Sequence, residues 1–406
     1  MVLILKIRPL YLYFIYFSNT EKEVINTNIS EMNLLLGTSL LLALIIAELA
    51  FQTKVNGKKL PWKEIVTSVN TGHIMQWLFR GMVLIAYTYL SDNYSLALFE
   101  HIPISVQWLF VFFAWDFLFY WSHRMHHTLG FLWKIHSTHH QPEHFNLSLG
   151  IRNSWYQPLT SFPFFIILAI IGVPIEQFML TSAIHYFIQF YNHNSLVVKS
   201  GVFEKIIITP SHHRVHHGKN KEYLDKNHGG TFIFWDKLFG TFQAERDDIE
   251  IVYGTTDNTN PHNPFWANME PFVKFLKRRE KRRKPLTLVK HFTISGSLLL
   301  FLLFLIYINH ESVWSFEMLA PLFLITFSGT IILGSISNDQ IVGLIAWSLL
   351  TIPSIFIYIL VMKISDATLL FILIATVVHG LIGTWSLFKM ILPRKNKPSS
   401  NKFINK

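Results

Sequence analysis

Apolar runs of about 20 residues recur along the chain, at about 33–52, 105–121, 291–309, 316–335, 342–363 and 368–391. A helix of roughly 20 apolar residues crosses the hydrocarbon core of a bilayer, so each run predicts a membrane span. Segments 73–90 and 159–190 are apolar but interrupted. Pro158, Pro163, Gly172 and Pro174 punctuate the second, which predicts a helical hairpin that dips into the membrane and returns near His193. Lys219–Glu245 is polar and contains glycines, and reads as a loop or cap. The pattern as a whole predicts an all-α integral membrane protein, a multi-pass helical bundle.

Composition agrees. Hydrophobic residues make up 51% of the 406 positions and charged ones only 15%, well below the share usual in soluble domains. The net charge of +10 is concentrated in Lys54–Lys63, Lys274–Lys290 and the tail after Arg394. These basic runs flank spans, so they read as cytoplasmic loops rather than as a nucleic-acid surface. With Lys54–Lys63 cytoplasmic, two spans leave and return, delivering His123 and the residues after it to the cytoplasmic face. The chain then divides into an uncertain N-terminal segment (1–31, a genuine segment or an upstream start), a catalytic region (32–273), a basic linker (274–290) and a four-span block with a basic tail (291–406). The Lys/Asn/Ile-rich composition favours a bacterial inner membrane over the endoplasmic reticulum.

Cysteine is absent, which excludes disulfides, thiolate-ligated haem and Cys-ligated iron–sulfur clusters. No Gly-x-Gly-x-x-Gly follows a strand pattern, and no His-Pro-Gly-Gly stretch is present. Electrons for any redox chemistry must come from an external donor.

Fourteen of the twenty histidines lie between His123 and His228. Three tight clusters stand out: His123, His126 and His127; His136, His139 and His140; His212, His213, His216 and His217. Side chains three and four apart share one helix face, and imidazole is the commonest metal ligand, so each cluster aims two or three nitrogens at one point. Three clusters supply enough ligands for two ions. The candidate ligands are His123, His127, His136, His139, His140, His213, His216 and His217, with His193 at the mouth of the hairpin completing the set. Zinc competes with iron on ligand type, but a structural zinc site closes with four ligands, and two adjacent all-histidine sites exceed that need. Asp116 lies two turns before His123 on the same face, placed to hold a ligand's second nitrogen. Glu143 follows the second cluster as a ligand, an acceptor or a proton donor. Arg124 and Arg214 must point away from the ions. His73, His101, His291, His310 and His379 read as structural, while His144, His185 and His228 are balanced between the two roles. Tyr120, Trp121, Trp133 and Trp235 read first as interfacial anchors and second as walls of a lipid tunnel. A histidine relay for metal transport is the competing class, but no charged or histidine residues line successive spans as a conduction path needs.

The order His-x3-His, His-x2-His-His, His-x2-His-His on membrane helices resembles the fatty acid hydroxylase and sterol desaturase superfamily. The likeness extends to Asp116, Tyr120–Met125, Trp133, Glu143 with Asn146, Thr209–Gly218, Asp225–Asn227, Trp235–Phe242, Glu245 and Tyr253–Gly254, and covers roughly residues 70–275. It is nearest to the alkylglycerol monooxygenase branch. That resemblance implies two iron ions, O2, a membrane lipid substrate and, in that branch, cleavage of ether lipids to aldehyde and glycerol with tetrahydrobiopterin as reductant. A sterol, carotenoid or fatty acyl hydroxylase or desaturase is the alternative within the superfamily. Two positions depart from the branch: Thr128 stands where its first motif ends in glutamate, and Glu222 stands where a tyrosine is expected, with Tyr223 beside it.

Overall fold

The computed structural model describes residues 21–99, 101–257, 259, 261–273, 287–338 and 341–391. Most of the basic linker, the first 20 residues and the tail after Arg394 lie outside the described residues. Among these, the chain is helical, with only two isolated bridges, Ile207 with Phe232 and Gly218 with Tyr253.

In chain order the helices are α1 (Glu21–Lys54), α2 (Trp62–Thr71), α3 (Ile74–Tyr94), α4 (Ile104–Thr128), α5 (Gly130–His140), α6 (Gln157–Ile171), α7 (Ile175–Asn192), α8 (Pro210–His216), α9 (Phe234–Leu238) and α10 (Pro264–Met269). The C-terminal block follows with α11 (Thr287–His310), α12 (Phe316–Ser337), α13 (Ile341–Ala346), α14 (Ile352–Met362) and α15 (Ala367–Ile391). A π-helical turn, Trp347–Thr351, joins α13 to α14. It immediately precedes the turn holding Pro353, whose missing N–H forces the hydrogen-bond ladder to skip.

Among the described residues, six helical stretches are long and apolar enough to cross a membrane: Leu36–Lys54, Ile104–Thr128, Val289–His310, Phe316–Ser337, Val342–Met362 and Ala367–Trp385. They coincide with the six runs read from the sequence. The interrupted segment at 73–90 forms α3, one unbroken helix that carries Arg80 and Asp92 and falls outside that set. The second interrupted segment is the expected hairpin, α6 and α7, reversed at Gly172. Gly172 has φ +93°, and a Cβ there would meet Ser95 Oγ at 2.9 Å, so only glycine turns the chain at this point.

Helix α4 runs seven residues past the expected end of its apolar run, because no glycine or proline interrupts it before Gly130. The first histidine cluster therefore rides on the same rod as the span. An aromatic core anchors that rod. Tyr87, Trp115, Phe165 and Phe178 are buried between α3, α4, α6 and α7, with the Trp115 and Phe165 rings 4.3 Å apart. The C-terminal helices pack on their own core of Leu300, Leu303, Leu322, Leu333, Trp347, Ile355 and Leu373. They dock onto the catalytic region through α11 and α12. Asn70 Nδ2 donates to Ser297 Oγ, and Asn263 Nδ2 to the Ile331 carbonyl at 2.8 Å.

Candidate metal centre

Two helix ends and two returning segments bring the histidines together. The C-terminal end of α4 carries His123 and His127, α5 ends in His136, His139 and His140, His193 caps α7, and α8 with its cap carries His213, His216 and His217. Their nitrogens sort into two groups. His123, His127, His136, His140 and His216 form one; His139, His193, His213 and His217 form the other. Within each group every ligand nitrogen lies within 4.8 Å of the rest. All nine candidate ligands fall in these two groups, and the two groups share α5 and α8, so the sites are neighbours.

Hydrogen bonds to backbone carbonyls fix which nitrogen of four of the nine rings faces inward. His139 Nδ1 donates to the Arg152 carbonyl, His193 Nδ1 to Gln189, His216 Nδ1 to Lys226 and His123 Nδ1 to His228. A neutral imidazole with its proton on Nδ1 has a bare Nε2. Yet His193 Nε2 faces His139 Nε2 at 3.2 Å, and both of these rings carry their proton on Nδ1. His216 Nε2 is buried with no partner at all. Two lone pairs at that distance repel unless a cation lies between them. Iron and zinc both take imidazole nitrogen, and the carbonyl acceptors supply the outer hydrogen bonds that metal-ligating histidines require.

Burial keeps the rings neutral. It holds His139 down to about 4. Burial, reinforced by neighbouring imidazoles, holds His136, His140, His213, His216 and His217 well below the ordinary histidine range. Both arginines point away, as the sequence requires. Arg124 reaches Tyr120 and the Phe239 carbonyl, and Arg214 forms a two-pronged contact with Glu245. A cavity of about 200 Å³ opens against the cluster, walled by His127, Trp133, His140, His216, Lys219 and Asp225.

Several residues occupy roles other than those read from the sequence. Asp116 bonds none of the nine rings. Its carboxylate accepts from His185 Nε2 at 2.8 Å, the Thr231 and Phe232 amides and Trp235 Nε1, and so staples the 231–235 segment to α4. Spacing put Asp116 on the right face, but the loop reaches it first. His185 is therefore structural, and Gly230 must be glycine because a Cβ would overlap that ring. Glu143 lies exposed beside Gly254, outside both nitrogen groups. His126 is spent on Ser122 O and Thr160 Oγ1, and His212 contacts Thr209 Oγ1. Tyr120 is fully buried with its hydroxyl at Thr241, so it is not an interfacial anchor; Trp235 is tied to Asp116, and Trp133 walls the cavity. His144 pairs with Glu64 at the surface. His73, stacked on Phe304, His310 on Trp314 and His379 on Phe292 are structural as expected. Of the two departures, Thr128 bonds the Arg124 carbonyl, and Tyr223 is buried with its hydroxyl on the Arg246 amide.

Two supports were not singled out from the sequence. Glu48, in the first span, accepts from the Leu147 and Ser195 amides and ties both segments beside the histidines to α1. Its signal was a carboxylate inside an apolar run. Arg152, fully buried, binds the Thr138 carbonyl and Gln141 while its own carbonyl orients His139.

Residues 108–241 match the fatty acid hydroxylase family. The chain is 35% identical over 259 residues to alkylglycerol monooxygenase of Homo sapiens, covering 59% of this chain and 57% of that protein. It is 36% identical over 225 residues to alkylglycerol monooxygenase of Danio rerio, covering 54% and 49%. It is 28% identical over 137 residues to an ornithine lipid hydroxylase of Rhizobium tropici, covering 31% and 39%. The chain thus spans about half the length of the curated relatives it matches. No solved structure matches it. Every one of the nine clustered histidines lies within the stretch that matches the fatty acid hydroxylase family.

Proposed function

We propose that this protein is a membrane-bound lipid monooxygenase with two non-haem iron ions. The observation that carries the reading is the convergence of nine imidazole nitrogens in two adjoining groups, of five and four, with the bare Nε2 atoms of His139 and His193 facing each other. His123, His127, His136, His140 and His216 would hold one ion, and His139, His193, His213 and His217 the other. Bound iron would supply activation of O2 for inserting oxygen into an unactivated lipid C–H bond, with electrons from an external donor.

The chain's own residues do the rest. Burial keeps His136, His139, His140, His193, His213, His216 and His217 unprotonated and ready as ligands at neutral pH. Backbone carbonyls of Arg152, Gln189, Lys226 and His228 lock ring orientation. Six candidate spans among the described residues, one of them carrying His123 and His127 at its end, support a substrate drawn from the bilayer. The similarity to alkylglycerol monooxygenases supports an ether lipid as substrate and tetrahydrobiopterin as donor. Hydroxylation of the carbon next to the ether oxygen gives a hemiacetal, which collapses to an aldehyde and glycerol. The similarity to an ornithine lipid hydroxylase favours acyl-chain hydroxylation as the second reading.

Oxygen-dependent release of fatty aldehyde from a 1-O-alkylglycerol tests the proposal, using iron-loaded membranes with and without tetrahydrobiopterin and a His139→Ala control. Pterin-dependent aldehyde absent from the control supports ether cleavage. A hydroxylated acyl lipid with no aldehyde moves the substrate to the second reading. No oxygen uptake with any lipid by a protein holding two irons overturns the oxygenase.

A further inference from the structure

The turn Asp225–His228 forms one wall of the five-histidine group. Asp225 Oδ1 contacts His127 Nδ1, the Lys226 carbonyl accepts from His216, and the His228 carbonyl accepts from His123. Three of the five rings are thus oriented by four consecutive residues. The turn is held rigidly. Asp225 and Asn227 both adopt φ +55°, unusual for non-glycine residues, and the structure around them fixes that conformation. Asn227 Nδ2 donates to the His212 and Gln243 carbonyls, and the His228 amide donates to Asp236 Oδ1 at 2.7 Å.

The His228 side chain is built like the ligands around it. It is 1% exposed, and its ring centroid lies 4.9 Å from that of His127, 5.6 Å from His123 and 5.7 Å from His216. Its Nε2 donates to the Asp225 carbonyl at 3.1 Å, which leaves Nδ1 bare. That Nδ1 is buried and has no hydrogen-bond partner. A buried polar atom without a partner costs free energy, and nothing else near it in the turn offers a proton. One nitrogen on a backbone carbonyl and the other bare is the same arrangement seen in His123, His139, His193 and His216.

We propose that His228 is a tenth metal ligand, its Nδ1 joining the five-histidine group as the ring pivots about its Asp225 hydrogen bond on loading. The inference rests on the metal-centre reading above. It would make the two sites unequal, with six imidazoles offered to one ion and four to the other.

The test uses the full chain in detergent, stripped of metal and titrated with cobalt(II), whose visible absorption is weak when six-coordinate and stronger with fewer ligands. His228→Phe keeps the ring volume and removes the nitrogen. Two cobalt ions per chain are expected in both proteins. The variant should hold one of them at least tenfold more weakly, with raised visible absorption. Phe variant spectra and affinities equal to the parent's overturn the proposal. Should that variant not fold, His228→Ala with free imidazole decides. Recovery of the parent spectrum by imidazole supports ligation, and a folded Ala variant with the parent's spectrum in its absence overturns it. A parent that binds no cobalt removes the metal-centre reading itself, an outcome distinct from failure of the His228 assignment alone.

Discussion

The catalytic region and the C-terminal block are both bundles of apolar helices, yet they are held together by different physics. In the C-terminal block the interior is Leu, Ile and Phe, and glycines let helices approach. A Cβ on Gly329 would sit 2.9 Å from Leu300, and one on Gly296 as close to Leu333. Membrane helices associate through such close packing, because lipid offers no hydrophobic gain. In the catalytic region the interior past residue 120 is polar. Eight of the nine clustered imidazoles, Arg152 and Asp236 are buried there, and His123, His139, His193 and His216 are oriented by backbone carbonyls. An apolar interior tolerates being left without a ligand. A cluster of facing bare nitrogens does not, so its metal is expected to be part of what holds it together.

The largest effect should therefore come from the histidines. Replacing His193 or His216 by alanine should lower metal affinity by more than about 100-fold, beyond the roughly 10- to 100-fold range for loss of an outer hydrogen-bond partner. Metal content after dialysis checks this, and retention of two ions in either variant breaks the assignment of that side. Removing the Asp116 carboxylate strands four donors. Asp116→Ala should cost about 3–5 kcal/mol, the scale for breaking a buried charged network, read as a drop in melting temperature.

Acid should separate the two regions. His139 falls from the ordinary 6.5 to about 4 in the folded chain, so the unfolded state binds more protons between those values. Stability of the metal-free protein is thus complete above pH 6.5 and is lost as pH falls toward 4. Asp236, raised by burial to about 6, runs the opposite way, losing stability as pH rises from 3.8. The several lowered histidines outweigh it. Hydrogen exchange across this range should show α5 and α8 opening first while α11 and α12 stay protected. Equal loss in both regions would erase the contrast.

Leu300→Ala, at a fully buried position of the C-terminal core, should cost about 2–4 kcal/mol yet leave metal content unchanged. A coupled loss of metal would show the two regions to be one cooperative unit. The smallest effect belongs to Asp248→Ala, which removes only an exposed pair with Arg246 and should leave the melting temperature unchanged.

Local pattern was enough for some of this. Apolar runs mark six spans because a bilayer demands unbroken lengths, and the hairpin at 159–190 shows in its glycine and prolines. The nine histidines that the fold gathers into two groups were legible because helical spacing puts i, i+3 and i+4 on one face whatever the rest of the chain does. The sequence could not show how the nine divide, since His139 and His140 are adjacent and point to opposite groups, a choice made by the Arg152 carbonyl 13 residues away.

Tertiary structure alone decided the remainder. Asp116 had the right spacing for a ligand's partner, but spacing does not reveal which loop arrives, and residues 231–235 take its lone pairs. His228 sits in a segment with no periodicity to read. Its ring reaches the five-histidine group only because Asp225 and Asn227 turn the backbone left-handed, and that turn is held by His212, Gln243 and Asp236, contacts between segments that come together only on folding.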